Sequence, residues 1–490
     1  MIMRRFLFSL ICLFGTVSSY AYDFEVDGLC YDLVSMDNKS VCLVKGATNY
    51  SGDLIIPGTI QVGSYTFTVD SIADDACSSC YNLTSITICE GVRKIGKRAF
   101  YSISWNRVNY IKIPKSLEFI NDQAFECMIP AKVYLADIAS WCKVKCYNNP
   151  LSYDSRYGTD VCLIYVGEDR VYDLFIPETV SQIFYNSFDG SVLNSVSFPG
   201  TIKNAAGFNG SLIKHVYFNE GVDTISGFNS CQNLTTVSLP RSVSVLDKAS
   251  FSWCTSLTHI SLNDGLATIN EYAFNRCTSL PQVVIPQTVK TIQRYAFLNC
   301  IELRKICLSE VETIGASAFD GCAKLDTIVL KTATPPSIES TTFTTGQHIL
   351  AKVYVPVGSK EIYQNTDYWK DFANIEEGDP TGSGETPETP KCATPTIKMV
   401  NGKLKFYCET EDVQYVYQAT PISSTTYDEE EGLLLPSIYR ITFYATKEGY
   451  LNSETVSQDI DVRGIKGDVN EDKEVNIADI NTIIDIILSN

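Results

Sequence analysis

A short pattern recurs through the middle of the chain, and its period constrains the fold more than any other feature of the sequence. Ile225, Leu246, Ile269, Ile292 and Ile314 stand at one place in that pattern, with successive spacings of 21, 23, 23 and 22 residues. Ile72 and Ile95 are again 23 apart. Ala-Phe follows in each complete copy (Ala273-Phe274, Ala296-Phe297, Ala318-Phe319), and three residues after the Phe comes Cys277, Cys300 or Cys322. Next is an alternating apolar segment: Leu257, Ile260, Leu262, then Leu280, Val283, Ile285, then Leu325, Ile328, Leu330. Proline often closes it (Pro114, Pro177, Pro199, Pro240, Pro286), which suits a chain turning out of a sheet edge.

Alternation of this length predicts one strand per unit. A unit of about 23 residues cannot bury its own Leu, Ile and Phe, so the units must stack on one another and share a core. About thirteen strand-like segments lie between Leu54 and Val355. At roughly 4.8 Å per stacked strand, the expected sheet extends on the order of 60 Å. The cysteines fit the same scheme. Cys80, Cys231, Cys254, Cys277, Cys300 and Cys322 recur at one position, where a reduced thiol packs as a small hydrophobe.

The stretch INEYAFNRCTSLPQVVIPQTVKTI, Ile269–Ile292, resembles throughout the BspA-like leucine-rich repeats of bacterial surface proteins. The opening YDFEVDG, Tyr22–Gly28, and the segment VYVPVGSKEIYQNTDYWKDF, Val353–Phe372, resemble the ends of such arrays. The resemblance implies a leucine-rich-repeat solenoid over 22–375. It weakens at 183–225, where Ala-Phe is degraded, and at about 130–170, which reads as an insertion with its own strands. Cys142 and Cys146 fall in that insertion and could bridge or bind metal, although no histidine is near them in sequence.

The N-terminus bears on compartment. A basic start, Met1–Arg5, precedes an apolar run, Phe6–Val17, and Ser19-Tyr20-Ala21 supplies small residues where a signal peptidase reads. Residues 1–21 are therefore expected to be a secretory signal, with cleavage before Tyr22. No later stretch has the length and apolarity of a membrane-spanning helix. The formal net charge of −18 disfavours nucleic acid and anionic membrane as partners and favours cations.

Beyond the array, 376–391 (EEGDPTGSGETPETPK) reads as a linker rich in Pro, Gly, Thr and Glu. Residues 392–464 alternate with period two (Leu404, Phe406, Cys408; Val413, Tyr415, Tyr417; Tyr439, Ile441, Phe443), and Asn401-Gly402 is a hairpin signal. A small immunoglobulin-like β-sandwich is expected there, with Cys392 and Cys408 as a candidate disulfide. The segment YRITFYATKEGYLNSE resembles the accessory β-domains of glycosidases such as chitobiase, in which a spacer role is the simpler reading.

Residues 465–490 carry the sharpest chemical motif. Asp468, Asn470, Asp472, Glu474 (through its carbonyl), Asn476 and Asp479 occupy positions 1, 3, 5, 7, 9 and 12 of a calcium loop. That spacing offers Ca²⁺ its six or more oxygens from a single loop. A helix with Ile480, Ile483, Ile484, Ile487 and Leu488 along one side is expected to follow. Asp at position 12 and Lys473 at position 6 make the loop resemble a dockerin repeat more than an EF-hand. Dockerins pair two such units, and one is visible here.

The whole is thus expected to be mainly β: a solenoid, an Ig-like sandwich and a calcium loop-helix. The function expected is binding or adhesion by a secreted or cell-surface protein, toward an extracellular protein or glycan. One outward column supplies candidate contacts: Tyr110, His215, Thr236, His259, Gln282 and Lys305, flanked by Ser85, Ser195 and Thr327. The alternative is a non-catalytic component of an extracellular complex involved in polysaccharide use, held by a cohesin-like partner. Catalysis is not expected. His215, His259 and His348 are scattered, HExxH and GxSxG are absent, and paired carboxylates in the insertion, such as Asp154 and Asp160, are what a catalytic reading would have to use.

Overall fold

The computed structural model describes residues 22–101, 108–126, 130–147, 163–167, 169–184, 186–378, 392–400, 403–411, 413–421, 438–447, 453 and 456–461. The expected signal segment, most of the linker and the calcium loop-helix lie outside these residues. Contacts divide the chain into two units: 1–171 with 183–192, and 172–182 with 193–490.

In the first unit an antiparallel start, Phe24–Val26, Leu29–Ser35 and Ser40–Val44, passes into two parallel sheets. One runs through Ser51–Ile56, Asn82–Ile88, Val108–Ile113, Pro130–Leu135 and Leu163–Val166. The other joins Tyr65–Ile72 to the two-residue strands Lys94–Ile95, Phe119–Ile120 and Lys145–Cys146. The expected insertion at about 130–170 is described only in part, since 148–162 and 168 lie outside the described residues. Pro130–Leu135 pairs in register with Val108–Ile113, and Lys145–Cys146 with Phe119–Ile120, so these strands continue the array. A one-turn helix, Ile138–Trp141, capped by Asp137, takes the place of the Ala-Phe turn between them.

The second unit repeats more strictly. Its longer strands include Ser195–Phe198, His215–Phe218, Thr236–Ser238 and His259–Ser261, then Gln282–Ile285, Lys305–Leu308, Thr327–Leu330 and Lys352–Val355. A second parallel sheet holds Asn204–Ala205, Thr224–Ile225, Val245–Leu246, Thr268–Ile269, Thr291–Ile292 and Thr313–Ile314. Each repeat therefore supplies two strands, where alternation predicted one. The second is only two residues long, too short for a period-two pattern to register.

Between the two sheets lies a row of stacked rings. Phe208, Phe228, Phe251, Phe274, Phe297, Phe319 and Phe343 have successive centroid separations of 5.9, 5.8, 5.9, 5.2, 5.5 and 5.2 Å. Full burial of each ring contributes about 1.5–3 kcal/mol. The cysteine column runs alongside as buried thiols. The thiols of Cys231, Cys254, Cys277, Cys300 and Cys322 donate to the carbonyls of Phe208, Phe228, Phe251, Phe274 and Phe297, at 3.0–3.2 Å. Each thiol thus reaches back one repeat. The Phe N–H groups reach forward: those of Phe251, Phe274 and Phe297 donate to the carbonyls of Ala273, Ala296 and Ala318. The cysteine is therefore more than a filler, since it ties successive turns in register.

Tight turns make this geometry possible. The residue before each cysteine takes a left-handed backbone (Ser230, Trp253, Arg276, Asn299, Gly321), as does the one before Ala-Phe (Tyr272, Tyr295). At Gly200 the neighbouring turn comes so near that a Cβ would run into the Glu220 carbonyl. The column ends where Gln347 replaces the thiol. Its amide donates to the carbonyls of Phe319 and Cys322, both at 3.0 Å, and it closes a capping box with Thr344 at the head of helix Thr345–Leu350. Trp369 and Phe372 then pack on Phe343 and cover the last ring.

Glu376 and Glu377, expected in the linker, instead finish the array's last strand, Asn374–Glu377. Farther on, Thr396–Val400 pairs antiparallel with Lys403–Tyr407, Val400 opposite Lys403. Gln414–Pro421, Ile438–Thr446 and Val456–Asp461 form a three-stranded antiparallel sheet. Ile441, Phe443 and Ala445 are buried among its described residues. Cys392 and Cys408, the candidate disulfide, stand as free thiols, and the Cys408 thiol donates to the Ala393 carbonyl at 3.1 Å.

Candidate functional site

The outward faces of the long strands are where the array offers its chemistry. In the second unit Val216, Val237, Ile260, Val283 and Ile306 point inward and are buried. Their neighbours at the preceding position form the column expected from the sequence. Ser195, His215, Thr236 and His259 are register partners on successive strands. Gln282, Lys305 and Thr327 are partners in the next sheet, and Lys352 and Asn374 extend that run. Tyr110 lies in the first unit, paired with Ser85 and Lys132. Five of the six candidate residues thus share one unit, in two register runs, and the sixth belongs to the other.

Thr236, His259 and Gln282 are exposed, while His215 and Lys305 are half-buried. Burial against the sheet, and then the Lys214 charge, hold the His215 imidazole below the usual histidine range, with Asp173 pulling weakly the other way. Desolvation lowers His259 in the same direction. Both shifts favour the neutral ring, which presents one donor and one acceptor. Asp173 closes this end of the column by accepting from the Ser195 hydroxyl at 2.5 Å and the Asn194 amide at 3.0 Å.

Sequence reasoning missed a second column two residues farther along each strand. Tyr217, Ser238, Ser261, Val284, Cys307 and Val329 lie on it, and the Tyr217 ring stacks on His215 with centroids 6.4 Å apart. Part of this column is covered. Tyr444, from the antiparallel sheet beyond the array, is hydrogen-bonded to Ser238 and lies beside Tyr217. Burial pushes the Tyr444 phenol up to about 12.

Also missed was an aromatic row in the first unit. Tyr110 meets Tyr134 edge-on at 5.8 Å, and Tyr134 leans on Tyr165 at 4.9 Å. Lys112 Nζ sits 5.6 Å from the ring centres of both Tyr110 and Tyr134, and Lys132 Nζ sits 5.3 Å from that of Tyr165. Reading 130–170 as an interruption hid it. The signal was the pair of alternating triplets Tyr110-Ile111-Lys112 and Lys132-Val133-Tyr134, out of phase by one step.

The remaining candidates carry less. Cys142 and Cys146 are unbridged, and burial pushes both thiols up to about 12. Among the described residues no group of three or more His, Cys, Asp and Glu could hold a metal ion. Asp154 and Asp160 lie outside the described residues, as do Asp468, Asn470, Asp472, Glu474, Asn476 and Asp479. No helix of the described residues is long and apolar enough to cross a membrane.

No curated protein sequence matches the chain. Among solved structures it is similar to the pneumococcal vaccine antigen PcpA, with 18% identity over 73% of this chain and 98% of that one and a TM-score of 0.42. A leucine rich cell surface protein from Faecalibacterium prausnitzii gives 19% identity over 64% and 96%, with a TM-score of 0.31. A leucine-rich repeat protein from Bacteroides ovatus gives 18% over 73% and 100%, with a TM-score of 0.29. The BspA type Leucine rich repeat region matches in six copies, over 60–149, 167–252 and 244–369, which together exceed half of the sequence. With its stacked Phe and Cys columns and its two strands per repeat, the chain belongs to the BspA type leucine-rich-repeat family.

Proposed function

We propose that the chain is a secreted or cell-surface binding protein whose outward sheet columns receive an extracellular protein or glycan, without catalysis. The observation that carries this reading is the register of His215, Thr236 and His259 and of Gln282, Lys305 and Thr327. Polar side chains of different chemistry are held one strand apart on a close-packed interior, an arrangement that recognises an extended ligand at little ordering cost. Leucine-rich-repeat proteins bind protein ligands. The test is capture of matrix proteins and glycans by the full chain. Saturable binding, lost in a Thr236→Arg, Gln282→Arg variant, supports the reading; binding unchanged by that variant removes the column from it.

A second reading rests on the spacing of Asp468, Asn470, Asp472, Glu474, Asn476 and Asp479. In it this loop binds one Ca²⁺ and, like a dockerin repeat, holds the protein to a cohesin-like partner in a complex for polysaccharide use. The five strands of 396–461 would be an Ig-like spacer ahead of it. Calorimetric titration of the full chain with Ca²⁺ tests this. A single site abolished by Asp468→Ala with Asp472→Ala supports it, and no heat from the parent chain ends it.

A further inference from the structure

We infer that the outward face of the first unit is a binding platform for a sulfated polysaccharide, built by Tyr110, Tyr134, Tyr165, Lys112 and Lys132. The inference rests on the binding function proposed above and gives it a site and a ligand chemistry.

The face has two neighbouring rows. Across the strands one row reads Ser85, Tyr110, Lys132, and the other Thr87, Lys112, Tyr134, Tyr165. On the two central strands tyrosine and lysine alternate on both axes, and Tyr165 follows Tyr134 on the next strand, so each ammonium lies beside a ring. Their inward neighbours Ile111, Val133 and Ile164 are buried, which fixes the strands beneath. Lys112 and Lys132 are exposed and, among the described residues, make no ion pair or hydrogen bond. By contrast Lys97, Lys115, Lys248, Lys290 and Lys324 of the array are each paired with a carboxylate. In a chain of net charge −18, two adjacent lysines left to tyrosine rings mark a place suited to an anion. Asp53 is the carboxylate on these rows, at the far edge, and its Oδ1 is already taken by the hydroxyls of Ser85 at 2.5 Å and Thr84 at 2.6 Å.

The ligand class follows from the two residue types together. The half-buried rings of Tyr110, Tyr134 and Tyr165, one strand apart and packed on one another, offer an aromatic ridge against which the C–H surface of a sugar chain can pack. The lysines choose the substituent. An ammonium is a compact point charge that meets a tetrahedral sulfate ester without needing a planar match, and Arg170, the register partner of Tyr165, ends the same row. The corresponding second column of the other unit does not offer this, since Tyr444 is already hydrogen-bonded to Ser238 there.

The test uses the full chain with dextran sulfate, unmodified dextran and polygalacturonate, read by calorimetry. Saturable binding of dextran sulfate alone is expected. Lys112→Ser with Lys132→Ser should weaken it by about tenfold or more, the loss of two charge contacts. Tyr134→Ser with Tyr165→Ser should weaken it comparably, while Tyr134→Phe with Tyr165→Phe, which keeps the rings and the fold, should retain it. Lys290→Ser with Lys324→Ser, a change of the same charge elsewhere, should leave it unchanged. Equal binding of dextran, tighter binding of polygalacturonate, or dextran sulfate binding indifferent to both platform variants overturns the inference. So does tighter binding of poly-glutamate, which would assign the face to an acidic peptide. Loss of the inference while the Thr236→Arg, Gln282→Arg variant still abolishes capture of another ligand leaves the proposed function standing.

Discussion

Residues 208–343 and residues 72–147 fold by the same repeat yet spend their aromatic residues differently. In the first stretch every turn places one Phe on a single continuous stack, and from Cys231 to Cys322 a thiol beside it reaches back to the previous turn. In the second, Cys77 stands where the Phe would be, its N–H donating to the Ala99 carbonyl, and Phe100 and Phe125 form a pair at 5.3 Å. The tyrosines there line up on the outside instead. The contrast teaches that the repeat demands a filled interior and a backbone ladder, and tolerates several side-chain solutions to the first.

Four measurements on the full chain would sharpen or break that contrast, beginning with the interior. Phe297→Ala removes a fully buried ring between two stacked neighbours and should cost about 3–5 kcal/mol in denaturant unfolding. Phe125→Ala, at the end of a pair, should cost visibly less; equal losses would erase the distinction between the two stretches. Gly200→Ala comes next, since its Cβ meets backbone that cannot swing away, and about 1–3 kcal/mol of overpacking is expected. Cys277→Val keeps shape and deletes the donor to Phe251, which should cost about 1 kcal/mol. Cys277→Ser, which mimics Ser211 one column place before Cys231, should cost less than the valine. A valine more stable than the serine would reduce the thiol to filling.

The smallest effect concerns pH. His215 is held below its ordinary value chiefly by burial, so the unfolded chain binds more protons than the folded one once pH falls beneath about 6.5. Stability should therefore decline from pH 7 toward pH 5, and His215→Gln should flatten that decline. A decline identical in the variant would place its origin elsewhere.

Much of this was legible because period and burial are the same fact written twice. The Ile, Phe and Cys columns are inward positions, and inward positions in a stacked array must repeat. The outward column from Ser195 to Thr327 followed by counting back from those inward residues. What could not be read is what depends on neighbours distant in sequence. The two-residue strands such as Thr291–Ile292 exist through pairing with the turns on either side, not through any pattern of their own. The continuity at 130–147 was hidden because Asp137 and the helix it caps replace Ala-Phe with a different solution of similar reach. The tyrosine row was lost with it.

The backward-reaching thiol has a bearing on how such a chain changes length over generations. A duplicated unit arrives carrying both plug and socket: its cysteine fits the Phe carbonyl before it, and its own Phe carbonyl awaits the next cysteine. Copies can thus be slotted in or dropped between Cys231 and Cys322 without redesigning the joint on either side. The Gln347 end piece is the one part that must stay last, because its amide spans two carbonyls of the preceding turn and closes the series.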